Sequence, residues 1–168
     1  MTTERRSGGN GRMKFDPRLV VALATPLAVA FVSGLATAAG VRDWYPSLVK
    51  PSFTPPDWLF GPTWTVLYIM MGIALWLVWR RQGEVPVRTP LILFAAQLAL
   101  NALWSVLFFG LRWPGAALVD ILLLWLAIGL TILAFRRVSV RAAVFMLPYW
   151  AWVTFAAALN ASIWVLNR

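Results

Sequence analysis

Five long apolar runs constrain this chain more than any other feature. They span about residues 19–41, 58–79, 89–111, 115–135 and 142–166, and they carry almost no charge. An α-helix rises about 1.5 Å per residue, so each run is long enough to cross a bilayer core roughly 30 Å thick. With 61% hydrophobic residues and a mean hydropathy of +0.74, a soluble domain of 168 residues could not bury this much apolar surface. The sequence therefore predicts an all-α integral membrane protein, a bundle of five transmembrane helices.

The basic residues predict the orientation of this bundle. Residues 1–18 are polar, basic and rich in glycine, which is typical of a disordered tail, and residues 19–168 would form the membrane domain. Of the 15 Lys and Arg residues, eleven lie in this tail and in the second and fourth connections, and four lie on the opposite side. Positive charge is enriched in cytoplasmic loops, so we expect a cytoplasmic amino terminus and a first connection outside.

The first connection has an unusual composition. Between Trp44 and Tyr68 the chain carries tryptophans together with five prolines, at positions 46, 51, 55, 56 and 62. Proline fixes φ and lacks an N–H donor, so this density predicts a stiff, non-helical connection, with Pro62 in the first turn of the second helix. Two interpretations stay open. The aromatic residues form a belt at headgroup depth, or they form one wall of a ligand site.

Several kinds of chemistry are excluded by composition. The chain has no cysteine and no histidine, which rules out disulfides, Cys/His zinc sites, Ser-His-Asp or Cys-His catalysis and histidine-ligated haem iron. We therefore predict no metal site, no resident cofactor and no conventional catalytic residue. The net charge of +9 is clustered at the ends of the apolar runs, which favours contacts with anionic lipid over nucleic-acid binding.

Polar side chains inside the apolar runs are few. Gln97 and Asn101 are four residues apart and share one helix face, with Trp104 continuing the stripe. Such amides either form hydrogen bonds between helices or anchor a ligand in an aromatic cavity. Asp120 is expected in a cap or loop contact near the membrane surface. The candidate ligand-binding residues are Trp44, Trp58, Trp64, Tyr68, Gln97, Asn101, Trp104, Tyr149, Trp152 and Asn160.

Four segments together resemble one known family. They are WYPSLVKPSFTPPDWLFGPTWTVLY, AAQLALNALWSVLFFG, GAALVDILLLW and LPYWAWVTFAAALNASIWVLN, and the match covers roughly residues 19–167. They are similar to the first loop with the second helix, and to the third, fourth and fifth helices, of the translocator protein family. Its members are also called tryptophan-rich sensory proteins or peripheral-type benzodiazepine receptors.

The resemblance implies a five-helix bundle, usually a homodimer, that binds porphyrins and other tetrapyrroles. It implies a cavity between the helices beneath the first loop, with Trp64 and Trp152 as the implicated tryptophans. We therefore expect Trp64 and Trp152 to face one cavity that the Pro51–Trp58 loop closes on its outer side. The chain departs from the animal members in lacking a tyrosine followed by a basic residue late in helix five. It also has Ala116 where those members have tryptophan. Both departures fit a bacterial member, located in the inner membrane.

The leading functional hypothesis is a membrane receptor or carrier for porphyrin-type tetrapyrroles, acting in porphyrin regulation or stress response. The alternative is a light-dependent porphyrin-degrading enzyme that uses Trp64 and Trp152, and a third hypothesis is a partner protein without a small ligand.

A homodimer would form through small residues that let helices approach closely in lipid. The candidates are Ala30, Gly34 and Ala38 in helix one and Ala95, Ala99 and Ala102 in helix three.

Overall fold

The computed structural model describes residues 16–168, apart from the side chain of residue 36. Residues 1–15, and with them most of the predicted tail, lie outside the described part. Within residues 16–168, five α-helices are long and apolar enough to cross a membrane, which confirms the predicted fold. They are α1 (Pro17–Ala39), α2 (Asp57–Trp79), α3 (Arg88–Ser105), α4 (Pro114–Val138) and α5 (Val140–Leu166).

The start of α1 shows why the helix begins two residues before the predicted span. Asp16 caps the helix, its Oδ1 accepting a hydrogen bond from the backbone N–H of Arg18 at 3.0 Å. Pro17 occupies the first helical position, where its missing N–H removes no intrahelical bond. Pro17 and Arg18, predicted to lie in the tail, are therefore helical.

The helices form a ring in which sequence neighbours are not always spatial neighbours. α1 packs on α2, α2 on α5, α5 on α4 and α4 on α3, and α3 returns to α1. The outward faces keep large apolar side chains exposed, among them Phe31 and Leu35 on α1 and Val119 and Leu133 on α4. An apolar exterior around a packed interior is the arrangement expected of a bundle surrounded by lipid.

Two of the helices continue into wider π-helical turns. α1 runs into a π turn (Gly40–Trp44) and then a 3₁₀ turn (Tyr45–Ser47), and α3 runs into a π turn (Val106–Gly110). The two π turns meet at Gly40, where an added Cβ would lie 1.8 Å from the carbonyl oxygen of Phe109. Only a glycine allows the backbones to approach this closely. The prolines therefore exclude helix from a shorter stretch than predicted, between Ser47 and Asp57.

Pro62 lies inside α2, in its second turn and not in the first as predicted. The difference arises because α2 begins at Asp57, directly after Pro55 and Pro56. A proline interior to a helix removes one i→i−4 hydrogen bond.

The loop before α2 is fixed to the far end of the chain. Asn167 closes α5, and its side chain makes two hydrogen bonds with Val49, accepting from the backbone N–H and donating to the backbone C=O, each at 2.9 Å. Phe53 meets Phe155 of α5 edge-on at a centroid distance of 6.2 Å. We call residues 48–56 the first loop; its contacts tie it to α5.

A candidate ligand-binding cavity

A cavity of about 360 Å³ lies at the end of the bundle where the first loop is found. It is bounded by α1, the start of α2, the end of α3 and the second half of α5. Its lining is mostly aromatic and aliphatic, and pockets for flat apolar ligands have this character. The lining residues are Gly34, Val41, Tyr45, Asp57, Phe60, Gly61, Trp64, Trp104, Phe108, Phe109, Ala156, Leu159, Asn160 and Ile163.

Trp64 is the largest flat side chain that α2 presents to the cavity. Its ring stacks on Tyr68 at a centroid distance of 5.5 Å and meets Tyr149 edge-on at 6.1 Å. Both tyrosines are buried, so they hold the indole from behind and leave its other side to the cavity. These two contacts fix the orientation of the Trp64 ring.

A buried chain of hydrogen bonds holds those tyrosines. The Tyr68 hydroxyl donates to Asn101 Oδ1 at 2.6 Å, and Asn101 Nδ2 donates to the Tyr149 hydroxyl at 3.1 Å. The chain joins α2, α3 and α5, so Asn101 links helices and does not line the cavity. Gln97 is also buried; its Nε2 lies 3.9 Å from the sulfur of Met71 and its Oε1 has no partner among the described atoms.

A second polar link does reach the cavity. Trp104 Nε1 donates to Asn160 Oδ1 at 3.0 Å, and Asn160 Nδ2 donates to the carbonyl oxygen of Pro114 at 2.9 Å. Trp104 also stacks on Phe108 at 5.4 Å. Trp104 and Asn160 therefore serve both as interhelical contacts and as cavity wall.

Trp64 and Trp152 were expected to face the same cavity. Trp64 lines it, but Trp152 does not. Phe60, which does line it, packs edge-on against Trp152 at 5.9 Å, and Phe155 lies 5.5 Å from the same indole. The Trp152 N–H is buried without a hydrogen-bond partner among the described atoms. Trp152 thus stands one layer behind the wall, because α5 turns Ala156 and Leu159 toward the cavity.

Trp44 and Trp58 are also outside the lining. Trp44 packs edge-on against Phe108 at 5.6 Å, which places it behind the cavity wall. Trp58 is 73% exposed on the outer surface at the start of α2, where it suits the predicted aromatic belt. Of the expected Pro51–Trp58 cover, only Asp57 contributes to the lining.

Tyr45 brings a phenol to the cavity from outside the membrane-spanning segments. Burial, and secondarily the nearby Asp57 carboxylate, raises the pKa of Tyr45 to about 12. The Lys50 ammonium lies 4.5 Å from the centre of its ring. At neutral pH this phenol is therefore a neutral hydrogen-bonding group.

Asp120 is placed differently from the expectation. It lies inside the bundle on α4, only 4% exposed, and neither carboxylate oxygen has a hydrogen-bond partner among the described atoms. Its carboxylate therefore makes no hydrogen bond to a helix end or a loop among residues 16–168. The helix begins at Pro114, six residues earlier, so Asp120 falls in its second turn on the inward face with Ala117 and Ile121.

Sequence reasoning missed several lining residues. Phe60 precedes Trp64 by four positions and therefore shares its helix face, a signal available in the sequence. Phe109 carried no such signal, because its direction depends on the π turn after α3. The small lining residues Gly34, Gly61 and Ala156 are recognised only once the helices are placed together.

Comparisons with known proteins agree with this architecture. The TspO/MBR family profile matches residues 22–165. The chain is 45% identical to "Tryptophan-rich protein TspO" of Archaeoglobus fulgidus over 89% of this chain and 97% of that protein. It is 48% identical to the protein of the same name from Chlorobaculum tepidum, over 89% and 95% of the two chains. It is 41% identical to the human "Translocator protein" over 90% of each. With matches of this extent, the chain belongs to the TspO/MBR family of integral membrane proteins.

Proposed function

We propose that this protein is a membrane receptor or carrier for a porphyrin-type tetrapyrrole, which binds in the cavity beside Trp64. The observation that carries the proposal is an indole fixed by two buried tyrosines and facing an apolar cavity of about 360 Å³. Family membership supports the same ligand class. The volume lies within the range of about 300–1,000 Å³ that small-molecule pockets usually have.

The aromatic lining suits a large flat ring system. A porphyrin can stack on Trp64 while Phe60 and Trp104 contact its edges and opposite side. Aromatic pairs contribute roughly 0.5–1.5 kcal/mol beyond the burial of area. Because Tyr68 and Tyr149 already order Trp64, binding need not restrict that side chain further.

The polar lining groups suit a tetrapyrrole without iron. The chain has no histidine or cysteine to ligate iron, and Tyr45 is the one lining side chain of a type that serves as a haem axial ligand. Its raised pKa keeps the phenol protonated, which weakens it as a ligand. We expect free-base protoporphyrin to bind at least as tightly as haem.

Titration of the purified protein with free-base protoporphyrin, followed by tryptophan fluorescence, tests the proposal. Trp64→Phe should weaken binding by up to about tenfold, which corresponds to about 1.4 kcal/mol, because part of the stacking surface is lost. Trp58→Phe is the matched control, since Trp58 is exposed and outside the lining, and its affinity should equal that of the wild type. Trp152→Phe should have a smaller effect than Trp64→Phe, acting through Phe60.

Unchanged affinity in Trp64→Phe would contradict the placement of the porphyrin beside Trp64. No saturable binding at all would favour a partner protein without a small ligand.

A second candidate function is light-dependent degradation of the bound porphyrin. It is favoured by the contact of Trp64 with two tyrosines, since all three side chains are oxidisable aromatics and the two tyrosine rings lie 5.5 and 6.1 Å from the indole. Illumination of the complex with analysis of the pigment separates the candidates. If the protein is an enzyme, Trp64→Phe should abolish product formation while binding falls by no more than tenfold. If pigment loss under light is the same with and without protein, the degradation hypothesis is rejected and the receptor or carrier function remains.

The homodimer is likewise a proposal. Gly34 and Ala38 are exposed on α1, and Ala95 and Ala99 on α3, while Ala30 and Ala102 are half-buried. Exposed small residues allow close helix contact in lipid, and α1 offers such a face at Ala38. Ala38→Leu should lower the dimer fraction in mild detergent while the monomer keeps its helical content.

A further inference from the structure

A second groove lies on another side of the bundle, between α1, α2 and α3. It has a volume of about 440 Å³ and shares no lining residue with the first cavity. Several of its lining residues, including Val21, Ala95 and Ala99, are exposed, so the groove opens on the outer surface of the bundle. The lining residues are Val21, Thr25, Val29, Leu75, Trp79, Leu91, Phe94, Ala95, Leu98, Ala99 and Ala102.

The groove presents hydrocarbon and almost no free polar group. Its one hydroxyl, on Thr25, donates to the carbonyl oxygen of Val21 at 2.8 Å. The indole N–H of Trp79 donates to Gln82 Oε1 at 2.8 Å. Because both polar groups already have partners within the chain, an occupant gains by burying apolar surface and not by hydrogen bonding in the groove.

Each of the three helices that form the groove carries an arginine at the same end of it. Arg18 precedes Val21 by three residues on α1, and Arg88 precedes Leu91 by three residues on α3, so each shares a helix face with a lining residue. On α2, Arg80 directly follows Trp79, and its guanidinium lies 4.7 Å from the centre of the Trp76 ring. All three arginines are exposed.

The negative charges near these arginines do not neutralise them. Among residues 16–168 the one ion pair is that of Arg81 with Glu84, at 2.6 Å. Asp16 accepts a hydrogen bond from Trp76 Nε1 at 2.8 Å, which lowers the pKa of Asp16 and keeps it ionised. Within the described part of the chain, one carboxylate therefore stands against Arg18, Arg80 and Arg88, and these described groups carry a surplus of positive charge.

We infer that this groove binds one acyl chain of an anionic phospholipid, with the phosphate held at Arg18, Arg80 and Arg88. An apolar channel that ends at guanidinium groups with no ion pair among residues 16–168 complements a hydrocarbon chain that ends at a phosphate. The inference is independent of the ligand in the first cavity. A second copy of the chain that packed against Ala95 and Ala99 would explain the small residues of the groove. It would not explain why three arginines lie at the end of the groove, so the lipid is the favoured occupant.

Lipid retention by the purified full-length protein tests the inference. Native mass spectrometry would count phosphatidylglycerol and phosphatidylcholine molecules of identical acyl chains that stay bound. The wild type should retain phosphatidylglycerol in preference, and the Arg18→Gln, Arg88→Gln double variant should lose most of that preference, by roughly ten- to thirtyfold for two arginines. Both arginines are exposed, so these substitutions leave the packing of the bundle intact. Arg42→Gln with Arg112→Gln, at the opposite end, is the matched control and should retain phosphatidylglycerol as the wild type does.

A phosphatidylglycerol with a photoreactive group in its acyl chain locates the site. Crosslinks are expected in residues 21–29 of α1 and 91–102 of α3, and Ala99→Phe, which fills the groove, should remove them. Equal retention of the two lipids would overturn the inference, as would crosslinks elsewhere. Loss of a dimer in Ala99→Phe with unchanged phosphatidylglycerol retention would instead assign the groove to a second copy.

Discussion

At the scale of single residues, Gln97 and Asn101 are two buried amides of α3 that make different contacts. The four-residue spacing correctly places both on one inward face of α3, and both are buried. It does not tell them apart. Asn101 bridges two tyrosine hydroxyls, whereas Gln97 meets only a methionine sulfur, and this difference depends on the positions of α2 and α5. The same limit applies to Trp64 and Trp152, since the rotation of α5 decides which indole faces the cavity.

This difference predicts opposite outcomes for two substitutions. Asn101→Leu leaves the buried Tyr68 and Tyr149 hydroxyls without their partner and should destabilise the protein by about 1–3 kcal/mol. Gln97→Met, the matched control one turn away, removes a buried carbonyl oxygen that has no hydrogen-bond partner among residues 16–168 and should be neutral or stabilising. Reversible unfolding in mixed detergent would measure both. Equal losses of stability would show that the amides contribute by volume alone.

At the scale of the helices, the sequence predicts the spans well because length and hydropathy are local properties. The predicted ends of α2 and α3 lie within one residue of the observed ones, once the π turn is counted with α3. The π turns themselves were not predictable. The turn at Gly40 exists because it meets the turn at Phe109, which is sixty-nine residues away in the sequence.

The contact between the π turns gives a prediction for Gly40→Ala. The added Cβ would lie 1.8 Å from the Phe109 carbonyl oxygen, so the turn that carries Phe108 and Phe109 into the cavity must move. We expect a loss of about 1–3 kcal/mol in stability, together with weaker porphyrin binding. Gly129→Ala in α4 is the control, since Gly129 is not among the lining residues of the cavity and its added Cβ would meet the Trp150 ring at an ordinary contact distance of 3.7 Å. It should be neutral or stabilise the helix by up to about 1 kcal/mol. Unimpaired stability and binding in Gly40→Ala would mean that the two turns adapt freely.

At the scale of the whole molecule, charge divides the bundle into two ends. The connection between α2 and α3 and the corner between α4 and α5 carry Arg80, Arg81, Arg88, Arg136, Arg137 and Arg141. The first cavity lies at the opposite end. If the positive-inside rule holds here, the cavity faces the outer leaflet, and the lipid groove begins at the inner one.

Single cysteines test this orientation without background, because the chain has none of its own. Ser47→Cys, in the 3₁₀ turn after α1, should react with an impermeant thiol reagent in intact cells. Gln82→Cys, exposed between α2 and α3, should react only after lysis. The reverse pattern would place the amino terminus outside.

The two hydrogen bonds between Asn167 and Val49 lead to a prediction about how fast a porphyrin bound in the first cavity would dissociate. Two hydrogen bonds at 2.9 Å join the first loop to the last turn of α5. A ligand that leaves past this loop can dissociate only after both hydrogen bonds have broken. Breaking these hydrogen bonds adds to the barrier for both association and dissociation when the ligand enters and leaves by the same path. The dissociation rate then changes more than the affinity. Asn167→Ala should therefore shorten the residence time of bound porphyrin severalfold in a stopped-flow chase, while the equilibrium constant stays within twofold of the wild type.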